Sequence, residues 1–323
     1  MKVGLYFDLR NPHSWRQDPA RLHAFTLEAI EEAERLGADS IWLSEHHLFP
    51  DDYVAAPLTF LAAAAARTSR VRLGTAVVLA PLHQTVEIAE QAAMVDLLSN
   101  GRLELGLGTG YRIPEYELFG ADTHRRYAQT DEKAREIRRL LSTGSVLPQP
   151  VQAEVPIWMG YQGPQGARRA GLLGERLLSA DARNWAPYLD GLQAGGHDLG
   201  RARMAGWINA WASDDPEADW PTVRVHLAHQ FDTYAALGVE GTGRPAPPPV
   251  DPDRLRTGTP DKLLGYIWCD RPEAVEAKIQ TYTAGAPVDT VLIFASIAGM
   301  PESLVIKHIR TVCTKLAPLL AEL

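Results

Sequence analysis

The chain has 323 residues, 46% hydrophobic and 22% charged, which is ordinary for a globular protein able to bury a substantial core. Thirty-two basic against 40 acidic side chains leave a formal charge of -8, which argues against nucleic acid or an anionic membrane surface as the main partner. Cys269 and Cys313 have neither metal-type nor disulfide-framework spacing, and no apolar run is long enough to cross a bilayer, so the expectation is a reduced cytoplasmic protein.

Along the chain, apolar runs of strand length alternate with amphipathic stretches of helical length. Residues 2–8 enter a strand at once, without the cationic and apolar regions of a secretory signal. A helix is expected over 20–36, a strand over 40–44, a helix over 54–68, a strand over 71–79 and a helix over 84–98. Strands at 103–107, 155–160, 176–180, 204–212 and 289–295 follow, with helices at 124–142, 165–173, 185–195, 272–284 and 301–319. Eight strands, each followed by a helix, give an α/β fold of the (β/α)8 TIM-type barrel class, one domain over 1–323. An insertion at about 214–260 exceeds that minimum. It holds an extra helix over 214–237, opened by Ser213-Asp214-Asp215-Pro216 as a cap with proline in the first turn. Next comes the long loop 238–260, whose Pro245, Pro247, Pro248 and Pro249 preclude regular structure; a mobile cover over the barrel mouth is expected before the last strand.

In such barrels chemistry is carried at the C-terminal strand ends. Glu45-His46-His47 stands where the apolar strand Ser40-Ile41-Trp42-Leu43 runs out. Strand alternation puts His46 on the side of Trp42 and Ser44, with Glu45 and His47 on the other, so His46 faces a cleft and no metal site is expected from the diverging histidines. Asp8 ends the first strand. On the third, Gly74 and Ala76 flank Thr75 and leave room for something flat, although barrel interiors also use small residues for packing. Gly106-Leu107-Gly108-Thr109-Gly110 lets backbone amides approach a ligand but lacks dinucleotide-fingerprint spacing. Gly160-Tyr161-Gln162-Gly163-Pro164-Gln165-Gly166 follows a strand and opens a helix, a phosphate cradle or a plain turn, with Arg168 and Arg169 close by. After Tyr111, Arg112 either steers an anion or forms an exposed pair with Glu115 or Glu117 in a long loop. Asp96 to Arg102 reads as a glycine-capped helix end.

The order of Ser44-Glu45-His46-His47, Gly74-Thr75-Ala76-Val77, Asp96-Leu97-Leu98-Ser99-Asn100-Gly101-Arg102, Leu105-Gly106-Leu107-Gly108-Thr109-Gly110-Tyr111 and Phe119-Gly120 resembles the bacterial luciferase-like flavin monooxygenase family, strongly to about residue 180 and more thinly beyond. The resemblance implies FMN at the barrel mouth and a homodimer packed through 54–68 and 84–98. It implies His46 as the histidine acting beside the flavin and a cis peptide at Ala76-Val77. Asp8, Gly74, Thr75, Ala76, Thr109, Gly110, Tyr111, Tyr161, Gln162, Gly163, Gln165 and Gly166 are then the cofactor-binding candidates. Thr109 stands where luciferase has a phosphate-gripping arginine, Gln162 and Gly163 replace a Glu-Ser pair, and Gly108 replaces a flavin-proximal cysteine, so light emission is not expected. The implied activity uses reduced FMN from a separate flavin reductase and molecular oxygen, through a flavin 4a-hydroperoxide, to oxidise a small-molecule substrate. Three alternatives stand beside it: a deazaflavin-coenzyme-dependent reductase or dehydrogenase, a non-catalytic flavin-binding protein, and a metal-dependent hydrolase built on His46 and His47.

Overall fold

A computed structural model describes residues 1–256 and 268–322; positions 257–260 of the proline-rich stretch lie outside them. In chain order the elements are β1 (Lys2–Phe7), α1 (Pro19–Arg35), β2 (Ser40–Leu43), α2 (Pro57–Arg67), β3 (Arg72–Thr75), β4 (Val78–Leu79), α3 (Thr85–Ser99) and β5 (Leu103–Gly108). Then follow α4 (Ile113–Phe119), α5 (Arg126–Ser142), β6 (Ile157–Met159), α6 (Gly163–Leu173), β7 (Arg176–Leu178), α7 (Trp185–Ala194) and β8 (Met204–Ile208). The remainder is β9 (Ala210–Ala212), α8 (Pro216–Leu237), β10 (Trp268–Asp270), α9 (Pro272–Thr283), β11 (Val288–Phe294), α10 (Glu302–Thr311) and α11 (Ala317–Ala321).

All pairings are parallel, in the order β3-β2-β1-β11-β8-β7-β6-β5-β4, and the β3–β5 pairing Leu73↔Leu103 closes the cylinder. With β3 and β4 counted as one broken stave, eight staves form the expected barrel. Register sets the faces: Gly4 pairs with Ser40 and Tyr6 with Trp42, so alternate residues point inward together. Tyr6, Trp42, Ala76, Trp158, Leu178, Ala205 and Leu292 fill the interior, while Leu5, Ile41, Leu73, Leu105 and Ile293 pack outward under the helices. The strands read as continuous apolar runs because both faces are covered.

Four departures from the sequence reading have local causes. The expected strand 71–79 breaks at the cis Ala76-Val77 peptide into β3 and β4. The strand expected over 204–212 divides at Asn209: β8 stays in the barrel, whereas β9 leaves it to pair with β10, an element the sequence reading missed. The expected loop after β5 contains α4, begun with Pro114 in its first turn and ended by Gly120 at φ 64°. The closing helix over 301–319 is α10 and α11 joined by a π-helical turn, Val312–Leu316. The insertion helix α8 is present, with the Asp215 side chain accepting from Ala218 N. Residues 244–250 form no regular element, and Val250 N ties them back to Asp232 on α8 at 2.7 Å.

Candidate active site

At the end of β2 the polar triplet splits as alternation requires. Glu45 turns outward and accepts from His47 Nε2 at 2.7 Å, His83 Nε2 at 2.5 Å and Leu79 N at 2.8 Å. Burial opposes ionisation of Glu45, but these donors outweigh it and hold its carboxyl below the ordinary range; the same contact raises the His83 imidazole against its own burial. Three metal-ligand-type atoms thus lie within 4.8 Å of one another. Each is already engaged in a hydrogen bond, so the cluster reads as a clamp between the β2 end and the turn after β4.

His46 turns the other way, 9% exposed, among Phe49, Tyr53 and Tyr234 with ring centroids 4.6, 4.7 and 5.6 Å distant. Its Nδ1 lies 3.6 Å from Glu115 Oε1 and makes no hydrogen bond among the described residues. Burial lowers the His46 imidazole below its ordinary value, and the Glu115 carboxylate only partly opposes that, so the site favours the neutral ring. Glu115 is fully buried, accepts from His47 N at 2.9 Å and faces Arg112 Nη1 at 3.5 Å. Arg112 in turn donates to His47 O and pairs with Glu240 at 2.5 Å. The expected pairing of Arg112 with Glu115 is present, but it is buried rather than exposed. This guanidinium is 1% exposed and braces the mouth from within, because α4 folds the loop back over it.

On the β1 side, Asp8 Oδ2 accepts from Ala298 N at 2.7 Å and Oδ1 from Arg10 N at 3.3 Å. Burial, only partly offset by Arg10, pushes the Asp8 carboxyl up to about 6. Arg10 is fully buried, donating from Nε to Asp51 Oδ2 at 2.6 Å, and His229 of α8 reaches the same oxygen at 2.9 Å. Tyr53 and Tyr234 hydroxyls meet at 2.9 Å. The insertion helix is thus bonded directly to the mouth.

The small residues divide into two uses. A Cβ on Gly74 would come within 2.3 Å of the Trp42 indole, so the space expected there for a ligand is taken by that ring. Thr75 is fully buried with its hydroxyl bonded to Gly106 N and O, both at 2.8 Å. The Val77 side chain, by contrast, lies over Gly108 and Gly160: Cβ atoms there would meet it at 2.3 and 2.5 Å. Val77 thus fills the space over both glycines, and its half-buried side chain with Ala76 forms the floor of the β3–β6 half of the mouth. Thr109 and Gly110 edge it, the latter at φ 66°, and Tyr111 stands half-exposed 6.2 Å from the His46 ring.

Beyond β6, Tyr161 is buried and donates to Asp131, which also takes Arg169 Nε at 2.7 Å. Gln162 precedes α6 without capping it, Gly163 sits at φ 69° with nothing within 4 Å of the point a Cβ would occupy, and Gln165 is exposed. Gly166 is pressed on Tyr161, where a Cβ would lie 2.8 Å away. Space beside Gly163 is therefore open at the start of α6, near the paired Arg169.

Glu115, His83, Arg10, Asp51, Tyr53 and Tyr234 were not singled out as site residues by the sequence. Glu115 was visible only as a pairing choice for Arg112, and the others carry no local pattern.

The model of the family described as luciferase-like monooxygenase matches residues 1–286. The oxygenase component of the flavin-dependent trigonelline monooxygenase of Acinetobacter baylyi is 31% identical over 165 residues, 46% of each chain. The F420-dependent glucose-6-phosphate dehydrogenase of Kineococcus radiotolerans is 27% identical over 296 residues, 82% of this chain and 84% of that one. Matches to curated relatives at 31 to 37% identity cover only 33 to 51% of those relatives. Among solved structures, monooxygenase RslO1 from Streptomyces bottropensis superimposes with a TM-score of 0.79 at 22% identity, covering 98% of this chain and 99% of that one. That likeness concerns the fold.

Proposed function

The chain belongs to the luciferase-like monooxygenase family, and within it we propose an oxygenase that receives reduced FMN from a separate flavin reductase and uses molecular oxygen to oxidise a small organic substrate. The observation that carries this reading is the buried His46–Glu115 pair, 3.6 Å apart, beside a floor in which Val77 lies down over Gly108 and Gly160. A flat ring fits such a floor. Backbone at Thr109 and Gly110 and the Tyr111 ring would hold its edge, and Gln162, Gly163, Gln165 and Gly166 its phosphate, while Asp8, Gly74 and Thr75 shape the walls without reaching it. When bound, reduced FMN supplies two electrons with which one oxygen atom enters the substrate and the other leaves as water.

This chain's residues supply the rest. His46, its neutral form favoured by burial, takes or returns a proton at the reacting edge, and Glu115 steadies the imidazolium when it forms. Glu115 is itself fixed by the His47 amide and Arg112. Phe49, Tyr53 and Tyr234 exclude water. We assign 1–323 to one domain, because α8 of the insertion bonds to Tyr53 and Asp51, and read the stretch after α8 as the cover of the mouth. A homodimer through α2 and α3 accounts for Val86, Met94 and Leu98 on α3, which are 50, 44 and 52% exposed. No helix among the described residues is long and apolar enough to cross a membrane, and two buried free cysteines suit a cytoplasmic protein.

A deazaflavin-dependent dehydrogenase is the second reading, favoured by the relative of that type matching four-fifths of the chain. Titration with reduced FMN and with a reduced deazaflavin, each followed by oxygen, separates them. The oxygenase reading expects tight reduced-FMN binding and oxygen-dependent product; deazaflavin binding alone, with no product from oxygen, refutes it. His46→Ala is expected to retain FMN affinity and lose coupled product formation.

A further inference from the structure

The two halves of the barrel mouth differ in chemistry. Opposite the small-residue floor, on β1, β8 and β11, the uppermost inward residues are Tyr6, Trp207 and Phe294. Tyr6 and Phe294 meet edge to face at 4.7 Å, and Trp207 and Phe294 are only partly buried, the apolar top of an otherwise closed interior. An apolar surface left open in a barrel mouth is where a ligand ring recovers the burial that the protein alone does not complete.

Polar groups beside this surface are few, and Asp8 and Arg10, the charged ones next to Tyr6, are buried. Ser44 Oγ, 3% exposed, faces the Tyr6 hydroxyl without a well-formed hydrogen bond, and His46 Nδ1 likewise lacks one among the described residues. Arg10 and Arg112, both over the Phe49 ring beside His46, face carboxylates: Arg10, fully buried, Asp51, and Arg112, 1% exposed, Glu115 and Glu240. An anionic substrate group placed there would be desolvated and would meet only cations that already face a carboxylate.

We propose that this half of the mouth binds an uncharged, ring-sized, mainly apolar molecule carrying one hydrogen-bonding oxygen, its ring over Trp207 and Phe294 and its oxygen at Ser44 next to His46. Carboxylates and phosphate esters are excluded. The proposal names the substrate class of the oxygenase reading and rests on that reading only in calling the ligand a substrate.

Equilibrium binding of four size-matched probes tests it, with and without FMN: cyclohexanone, methylenecyclohexane, cyclohexanecarboxylate and cyclohexyl phosphate. Cyclohexanone is expected to bind at least about tenfold more tightly than either anion, a difference of about 1.4 kcal/mol. Ser44→Ala is expected to weaken cyclohexanone about fivefold and leave methylenecyclohexane unchanged, the size of one hydrogen bond. Phe294→Ala and Trp207→Leu are each expected to weaken both about tenfold, with circular dichroism confirming that at least one variant is folded. Either anion binding as tightly as the ketone, or ketone affinity unmoved by both aromatic variants, overturns the proposal. Reduced-FMN titration of the wild-type protein is read separately: its failure sinks the oxygenase reading, while the probe series still reports on the aromatic surface.

Discussion

Replacing Glu115 by Gln isolates the electrostatic part of the His46 site. The amide keeps the shape and can still accept from the His47 N–H, which now lies 2.9 Å from Glu115 Oε1. The negative charge 3.6 Å from His46 Nδ1 is lost. At that distance two unit charges attract by about 5 kcal/mol at an effective dielectric of about 20, and that attraction belongs to the protonated imidazole alone. Native His46 already lies below its ordinary value because burial outweighs Glu115. Glu115→Gln therefore moves it lower still, and the imidazolium becomes harder to reach at every pH. Proton transfer by a positioned side chain is worth roughly 10²- to 10⁴-fold, so coupled turnover is expected to fall about 10- to 100-fold with FMN affinity unchanged. Arg112 keeps Glu240, so the fold loses only about 1–3 kcal/mol. The assay is the pH dependence of the His46 Cε1 proton resonance beside turnover in wild type and variant. A titration unmoved or moved upward would refute the reasoning.

Asp8 provides a stability test. A carboxyl held at about 6 in the fold against an ordinary 3.8 favours the protonated native state. Its contribution is complete below pH 3.8 and lost as pH rises through 6, about 3 kcal/mol by pH 7. Denaturant unfolding of wild type minus Asp8→Asn should therefore drift downward by that order between pH 4 and 7; a flat difference contradicts it. Gly108→Ala places a methyl 2.3 Å from Val77 Cγ2, which must tip into the mouth. FMN affinity is expected to drop about tenfold or more by the overpacking cost of about 1–3 kcal/mol, and unaltered affinity would remove Val77 from the floor. Glu240→Ala unlatches the segment after α8 from Arg112. Because Glu240 is half-exposed, global stability should change by less than about 1 kcal/mol, while limited proteolysis within 238–250 accelerates; unchanged cleavage would show that the latch does not hold the segment.

The barrel was legible because parallel strands covered on both faces leave continuous apolar runs, and eight of them alternate with helical periodicity. Local chemistry was legible too: the split of Glu45 and His47 from His46 follows from alternation alone, and the cis Ala76-Val77 peptide followed from the resemblance. Tertiary structure decided everything that depends on residues distant in the chain. Glu115 reaches His46 across 69 positions, and Arg112 reaches Glu240 across 128. Gly74 looked like an opening along its own strand and is instead filled by Trp42 of the neighbouring one. The strand over 204–212 looked continuous because β9 has the same apolar character as β8, and only its pairing with β10 draws it out of the barrel. Periodicity and capping act over one element and are written in consecutive residues. Which carboxylate neutralises a buried cation, and which ring fills the space beside a glycine, are fixed only when the cylinder closes.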